Sequence, residues 1–339
     1  MKKCSRIFAA ALMIVGAVVM LFALASCGFD FSKLDMSERE TNTYEIKEAF
    51  NNISFDANTE DIIISLTDGE YAVVVCENEE VALSHSVAVK DGTLEIKIVD
   101  ERKWYDYVNP ISYETAKLKV SLPAAEYGNL TISADTSDIS IADGLNFKGI
   151  DISLSTGDTE CYASASDFIK IKASTGDINV DGARTGALEL SANTGDVTVK
   201  NCTADSVALK TTSGKINAST LTVNGAFSSN VSTGKSSIVN VTCDSFASKG
   251  TTGKLKLENV IAASLMSIKR DTGDVELVGC DAGEIAIDTD TGDVKASLLT
   301  EKVFIVRTDT GKIRVPETIS GAKCKITTDT GDITVTVGK

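Results

Sequence analysis

Apolar and polar residues alternate along this chain in short runs, and from residue 126 onward the alternation is locked to a short mark, Thr-Gly-Asp or a near relative. The central residue of the mark falls at Ser137, Gly157, Gly176, Gly195, Gly214, Gly234, Gly253, Gly273, Gly292, Gly311 and Gly331, in steps of 19 or 20 residues. Seven residues before it the chain is always apolar, from Leu130 and Ile150 through Phe304 and Cys324. Four residues after it the chain is again always apolar, from Ile141 to Val335. The positions five before and two after are apolar except at Ser229, Ser248, Thr159 and Ser236. Three after the mark the residue is always polar. This is period-two alternation on both sides of a tight turn, the signature of strand, turn, strand.

A fixed period of this length means units that bury their apolar faces only by stacking on one another. Ten or so residues per strand and corner leave no room for a helix. The prediction is an all-β chain: a parallel β-helix or β-solenoid of about 11 rungs with a period of 19–20 residues. With strands about 4.8 Å apart, that is a rod about 50 Å long. Glycine supplies the positive φ of the turn, and Asp is expected to bond the backbone of its own turn.

Residues 44–125 are also strand-rich but do not follow the period. Strands are predicted at 62–66, 71–76, 81–89, 94–99 and 117–122, with hairpin turns at Asp68-Gly69 and Asp91-Gly92. The segment reads as an irregular strand-rich cap over the first rung, since a solenoid's terminal strands are otherwise open edges. At the other end nothing follows the strand Ile333–Val337 except Gly338 and Lys339. The last rung should therefore expose Ile326, Ile333 and Val335 along the rod axis, an edge suited to self-association or to a partner.

The chain begins with basic residues (Lys2, Lys3, Arg6) and an apolar run over 7–24, then Leu24-Ala25-Ser26-Cys27. That order matches a bacterial lipoprotein signal, in which Cys27 is acylated and becomes the new N-terminus. An ordinary secretory signal or an uncleaved membrane helix are the plainer readings. The expected organisation is a signal peptide over 1–26, a lipid-anchored tether over 27–43, the cap over 44–125 and the solenoid over 126–339. The location follows: the cell membrane, on its extracytoplasmic face.

Charge narrows the partners. The net charge is −15, and loss of Lys2, Lys3 and Arg6 with the signal would make it −18. Such acidity disfavours nucleic acid. The six cysteines beyond Cys27 fall at Cys76, Cys161, Cys202, Cys243, Cys280 and Cys324. Cys202 and Cys243 lie two rungs apart, about 10 Å, beyond the reach of a disulfide. Cys161 and Cys324 fall in core columns and are expected as buried small hydrophobes, and neither a metal cluster nor a cofactor is expected.

Candidate chemistry is sparse. Stacked Asp residues one after the mark invite calcium, but Lys215, Lys235 and Lys254 interrupt the row, so the turn reading is preferred. Polysaccharide lyases and esterases exist on β-helices, yet the sole His, His85, lies outside the repeats and no Ser-His pairing can be placed. The aromatics gather in one loop, Trp104, Tyr105, Tyr107 and Tyr113 around Pro110. These are candidate binding residues, because Trp and Tyr dominate binding hot spots; equally, they suit packing on the first rung.

Several runs carry a resemblance: Asn52 to Ile64 (NISFDANTEDIII), Asp91 to Ile98 (DGTLEIKI), Leu118 to Pro123 (LKVSLP), Leu130 to Ile141 (LTISADTSDISI) and the Ser-Thr-Gly-Asp-Ile units. Over residues 45–339 the chain resembles the DUF4097 family, bacterial β-strand-repeat proteins regarded as candidate surface adhesins. The resemblance implies an exported, envelope-associated parallel β-solenoid and transfers no catalytic residue. Together these readings favour a non-enzymatic cell-envelope lipoprotein, a candidate adhesin or surface scaffold. It would be held to the membrane by its lipid and would meet a surface ligand or envelope protein not named by the sequence. An envelope-stress accessory sensing membrane-active molecules and a carbohydrate-active β-helix enzyme are the alternatives.

Overall fold

The computed structural model describes residues 39–102 and 116–338. All regular structure in them is strand. Two ribbons of parallel strands run the length of the molecule, one on each side of the Thr-Gly-Asp turns. The first ribbon holds strands such as Glu126–Thr136, Asn146–Thr156 and Ser164–Thr175, and the second holds Ile139–Ile141, Thr159–Cys161 and Ile178–Asp181. Each rung pairs in register with the next: Ile150 lies beside both Leu130 and Ile169, and Cys161 beside Ile141 and Val180.

The predicted columns are the core. Leu130, Ile150, Ile169 and Leu188 are fully buried, as are Ile141, Cys161, Val180 and Val199. Ser229 and Ser248, the polar exceptions, are buried too and hydrogen-bond each other at 2.9 Å. Each fully buried aliphatic side chain contributes about 1.5–3 kcal/mol, so stacking, rather than any one rung, holds the rod together.

Two features explain the mark. Gly176 has φ +135°, and a Cβ there would overlap the carbonyl oxygen of Gly157 on the preceding rung. Glycine is therefore required both by the turn and by the closeness of stacking. The Asp that follows reaches across rungs, contrary to the expectation that it serves its own turn. Asp138 Oδ1 accepts the amide of Asp158 at 2.9 Å, Asp158 that of Asp177 at 2.7 Å, and Asp177 that of Asp196 at 2.7 Å. A second corner, six residues after the glycine, has Asn201, Asn240 and Asn259 at φ 52–54°, the left-handed region that Asn tolerates. There Asn259 Nδ2 donates to Asn240 Oδ1 at 3.0 Å.

The opening section is more regular than the sequence implies. Asn52–Ala57 and Asp61–Thr67 form a rung that stacks directly on the Ser137 rung. Thr59-Glu60-Asp61 takes the place of Thr-Gly-Asp, and Asp61 Oδ1 accepts the amide of Asp138 at 3.3 Å. Thr93–Asp100 and Lys117–Pro123 form the next rung outward. Antiparallel strands then close both ribbons: Leu83–Lys90 on the first, Ala72–Glu80 followed by Arg39–Ile46 on the second. Arg39–Ile46 starts inside the segment read as tether. Asp91-Gly92 makes its predicted hairpin, with φ 50° and 72°. Asp68-Gly69 does not, because Lys117–Pro123 lies between Asp61–Thr67 and Ala72–Glu80 and pairs with both.

The C-terminal expectation is overturned. Val275–Thr291 pairs with Ala322–Thr330, and Val294–Leu298 with Ile333–Val337. The final rung is thus inserted between the Gly292 and Gly311 rungs. Ile326, Ile333 and Val335 are buried, and the Gly311 rung is outermost. Its residues Phe304, Val306, Ile313 and Val315 are the only members of their four columns that are not buried. A last rung covered on both faces by neighbours keeps its apolar column from water, whereas sequence order alone would leave the chain end open.

Candidate binding surface

The candidate residues Trp104, Tyr105, Tyr107 and Tyr113 lie outside the described residues, as does Cys27. The strands that lead into and out of that aromatic segment, Thr93–Asp100 and Lys117–Pro123, form the outermost N-terminal rung. At its edge the Arg102 guanidinium is bound to Asp100, with Nε and Nη2 donating at 2.9 and 2.7 Å.

Beside this end the rod carries a groove of about 560 Å³. It runs along the corner where the chain enters the first ribbon, across the rungs from Glu126 to Asp205. Its apolar floor comes from Tyr127 and Phe147, whose rings lie 5.8 Å apart, with Phe50 stacked on the far face of Tyr127 at 5.9 Å. Tyr127 is anchored by a hydroxyl bond to the Pro123 carbonyl at 2.9 Å. Hydroxyls of Ser164, Ser166 and Thr185 and charges of both signs, Lys148 and Arg184 with Glu126 and Asp205, form the walls. Register shifts between Phe147 and Gly149 and between Ala165 and Phe168 widen this corner. A Cβ at Gly149 would strike the Phe168 ring, so the glycine makes room for it. No motif marks the groove in the sequence; the only trace is this irregular spacing ahead of the regular strands.

A second recess, about 350 Å³, lies on the outer face of the first ribbon. There outward positions of successive rungs set Ser133, Ser153, Ser155, Ser174 and Ser191 in rows, with Asp135 and Lys172 among them. The two surfaces offer hydrogen-bond donors, acceptors and charges of both signs along successive rungs.

The groups that would mark an enzyme are placed elsewhere. His85 is buried within the cap, its Nδ1 2.6 Å from Glu79 Oε1 and its Nε2 3.7 Å from Glu60 Oε2. Glu60, at the glycine position of its turn, accepts the amides of Asn58 and Thr59 at 2.7 and 3.0 Å. Beside them burial, together with the Glu79 carboxylate, pushes the Cys76 thiol up to about 12. The other cysteines of the described residues are free and buried, as their columns require. Burial pushes Cys161 and Cys324 up to about 12 and Cys202 and Cys243 up to about 11, which keeps these thiols protonated and unreactive. Among the described residues no group of three or more His, Cys, Asp or Glu side chains is placed to hold a metal ion. The cross-rung pair of Lys215 with Asp196 forms at 3.3 Å, but Lys254 turns to Glu276 rather than to Asp274.

The family model described as Toastrack DUF4097 matches residues 50–240 and 226–339. The chain belongs to the Toastrack DUF4097 family. No curated protein matches this Toastrack chain. Among solved structures, it is similar to a candidate adhesin from Bacteroides fragilis, at 16% identity and a TM-score of 0.37, over 88% of this chain and 97% of that one. It is also similar to a candidate lipid-binding protein from Parabacteroides distasonis, at 16% identity and a TM-score of 0.44, over 77% of this chain and 98% of that one. A candidate adhesin from Parabacteroides merdae matches at 15% identity and a TM-score of 0.35, over 78% and 97% of the two chains.

Proposed function

We propose that this Toastrack protein is a non-enzymatic binding protein of the cell envelope, anchored by a lipid on Cys27 and holding a surface polymer along the side of its rod. The observation that carries this is the corner groove of about 560 Å³, with hydroxyls and charges of both signs along its walls, continued rung by rung over the corner strands. A repeating surface suits a repeating ligand, since each rung can offer the same contacts to the next unit of a polymer. The preferred ligand class is a polyhydroxylated envelope glycan, whose hydroxyls would meet Ser164, Ser166 and Thr185 and the charged side chains between them, above the buried rings of Tyr127 and Phe147. The lone histidine, engaged with Glu79 and enclosed, favours binding over acid–base catalysis.

The test uses the full chain in membranes and an isolated cell-wall polysaccharide fraction. Arg184→Ala with Ser166→Ala, both exposed, should weaken retention on the polysaccharide at least several-fold and leave thermal stability unchanged. Unaltered retention would reject the groove. Release of new reducing ends from the polysaccharide would reject the non-enzymatic reading. Cys27→Ser should yield a soluble or unprocessed chain; a shortened form still sedimenting with membranes would reject the lipid anchor.

A further inference from the structure

The two ends of the rod are finished differently. At the N-terminal end the outermost rung has Leu94, Ile96, Leu118 and Val120 at 0% exposure, and antiparallel strands occupy the outer edge of each ribbon. At the C-terminal end Ile305 is 52% exposed and Ile313 45%. Phe304, Val306 and Val315 are only partly covered. Among the described residues, Lys302–Thr310 and Ile313–Arg314 pair on one side only, with the inserted final rung. The core is therefore open at one end, and its backbone edge is free to accept another strand.

We infer that this end docks a second copy of the same chain, end to end, about a two-fold axis. Three observations select that occupant. First, the apolar columns at the N-terminal end are already covered by antiparallel strands, so the only open core that can match this one is the same end of another copy, an isologous contact. Second, the exposed end has the outline of a single rung, and the same end of another copy shares that outline. Third, the charges are self-complementary. Between Leu299 and Gly321 three exposed basic residues (Arg307, Lys312, Arg314) stand against three exposed acidic ones (Glu301, Asp309, Glu317), a net of 3 − 3 = 0 in a chain of net −15, Lys302 being buried against Asp281. Two such ends meet without net repulsion.

The pairing has a definite register. Arg307 and Asp309 project from the same face of Lys302–Thr310 and pair with each other at 2.9 Å, with side chains 76% and 55% exposed. An antiparallel approach centred on Thr308 sets Arg307 of each copy opposite Asp309 of the other. The intrachain pair is exchanged for two intermolecular ones at little cost, because both side chains already stand in water.

A charge swap tests this. The purified full chain in detergent is followed by sedimentation velocity over a range of concentrations, and the wild type should pass from monomer to dimer and no further. Asp309→Arg alone and Arg307→Asp alone should each remain monomeric. An equal mixture of the two variants should recover the dimer, because each Arg then faces an Asp. Ile305→Lys with Ile313→Lys should abolish the dimer, while Leu66→Lys, on the side of the rod, should not. All variants should keep the thermal midpoint that the wild type shows at concentrations where it is monomeric, since every altered side chain is exposed. A wild type that stays monomeric at its highest soluble concentration overturns the inference. So does a dimer that survives either single charge variant, or a mixture that fails to restore it.

Discussion

The backbone amide of Asp332 donates to Asp293 Oδ1 at 2.9 Å, across 39 residues of sequence. From Asp138 to Asp293 the earlier steps of this ladder join rungs 19 or 20 residues apart, as from Asp177 to Asp196. The doubled step records the insertion of the final rung, and Asp332 Oδ1 then accepts the amide of Lys312 at 2.8 Å on the outermost rung. The chain end is thereby locked between two neighbours instead of fraying.

Removal of residues 322–339 should therefore do more than shorten the rod. It takes away the only strands that pair with Lys302–Thr310 and Ile313–Arg314. Amides of 302–314 should lose their hydrogen-exchange protection in the truncated chain. In the intact chain, Ile333–Val337 should exchange more slowly than Lys302–Thr310. Retained protection of 302–314 after truncation would contradict the inserted order.

The Asp ladder predicts a graded effect at Asp177. Asp177→Ala leaves the Asp196 amide without its acceptor and should cost about 0.5–1.5 kcal/mol in urea unfolding. Asp177→Asn keeps an oxygen at the same place and should cost less. Equal losses for the two variants would mean that negative charge, not the cross-rung bond, is what matters.

Arg270 is 2% exposed within the core, above Gly250, whose missing side chain leaves space for the guanidinium. Its Nη2 donates to Ser248 Oγ at 2.9 Å, Nε has no partner, and burial pushes its pKa down to about 10. A buried cation with an unpartnered Nε and no carboxylate bonded to it among the described residues is a burden on stability. Arg270→Met should leave stability unchanged or raise it by up to about 4 kcal/mol, measured by urea titration. A loss of several kcal/mol would show that the Ser229–Ser248–Arg270 chain is stabilising.

The buried thiols give a pH dependence. Their folded values, raised by burial from the ordinary 9.0 to about 12 at Cys76, Cys161 and Cys324, lie above the unfolded ones. The unfolded chain sheds these protons first as pH rises. The stabilisation is complete below pH 9 and should fall progressively as pH climbs toward 12. At neutral pH a thiol reagent should label none of these residues until denaturant is added, with the labelled sites mapped by mass spectrometry. Rapid labelling of Cys161 in the native chain would contradict its burial.

The repeat was legible because its physical causes are local. A turn that needs glycine, an Asp beside it, and side chains that alternate at period two all leave marks in the order of residues. Alternation alone puts Leu188 and Val199 in the core and Thr198 on the opposite face of its strand, and Leu188 and Val199 are fully buried. The rung at Glu60 escaped notice because a buried glutamate, bonded to the Asn58 and Thr59 amides and facing His85, stands where the other rungs have glycine or serine. The groove at Tyr127 and Phe147 was equally silent, since it arises from register shifts between rungs rather than from any residue pattern.

What the residues alone determined, then, is the rung: its strands, its turn and its buried columns, each set by interactions within about twenty residues. The order in which rungs stack was decided only in three dimensions. The Gly292, Gly311 and Gly331 rungs carry nearly the same columns, so any of them can sit on any other as far as local pattern is concerned. Their order follows from which arrangement covers the most apolar surface and pairs the most backbone. Burying Ile326, Ile333 and Val335 between two neighbours, with the more charged Gly311 rung outermost, is the solution this chain adopts.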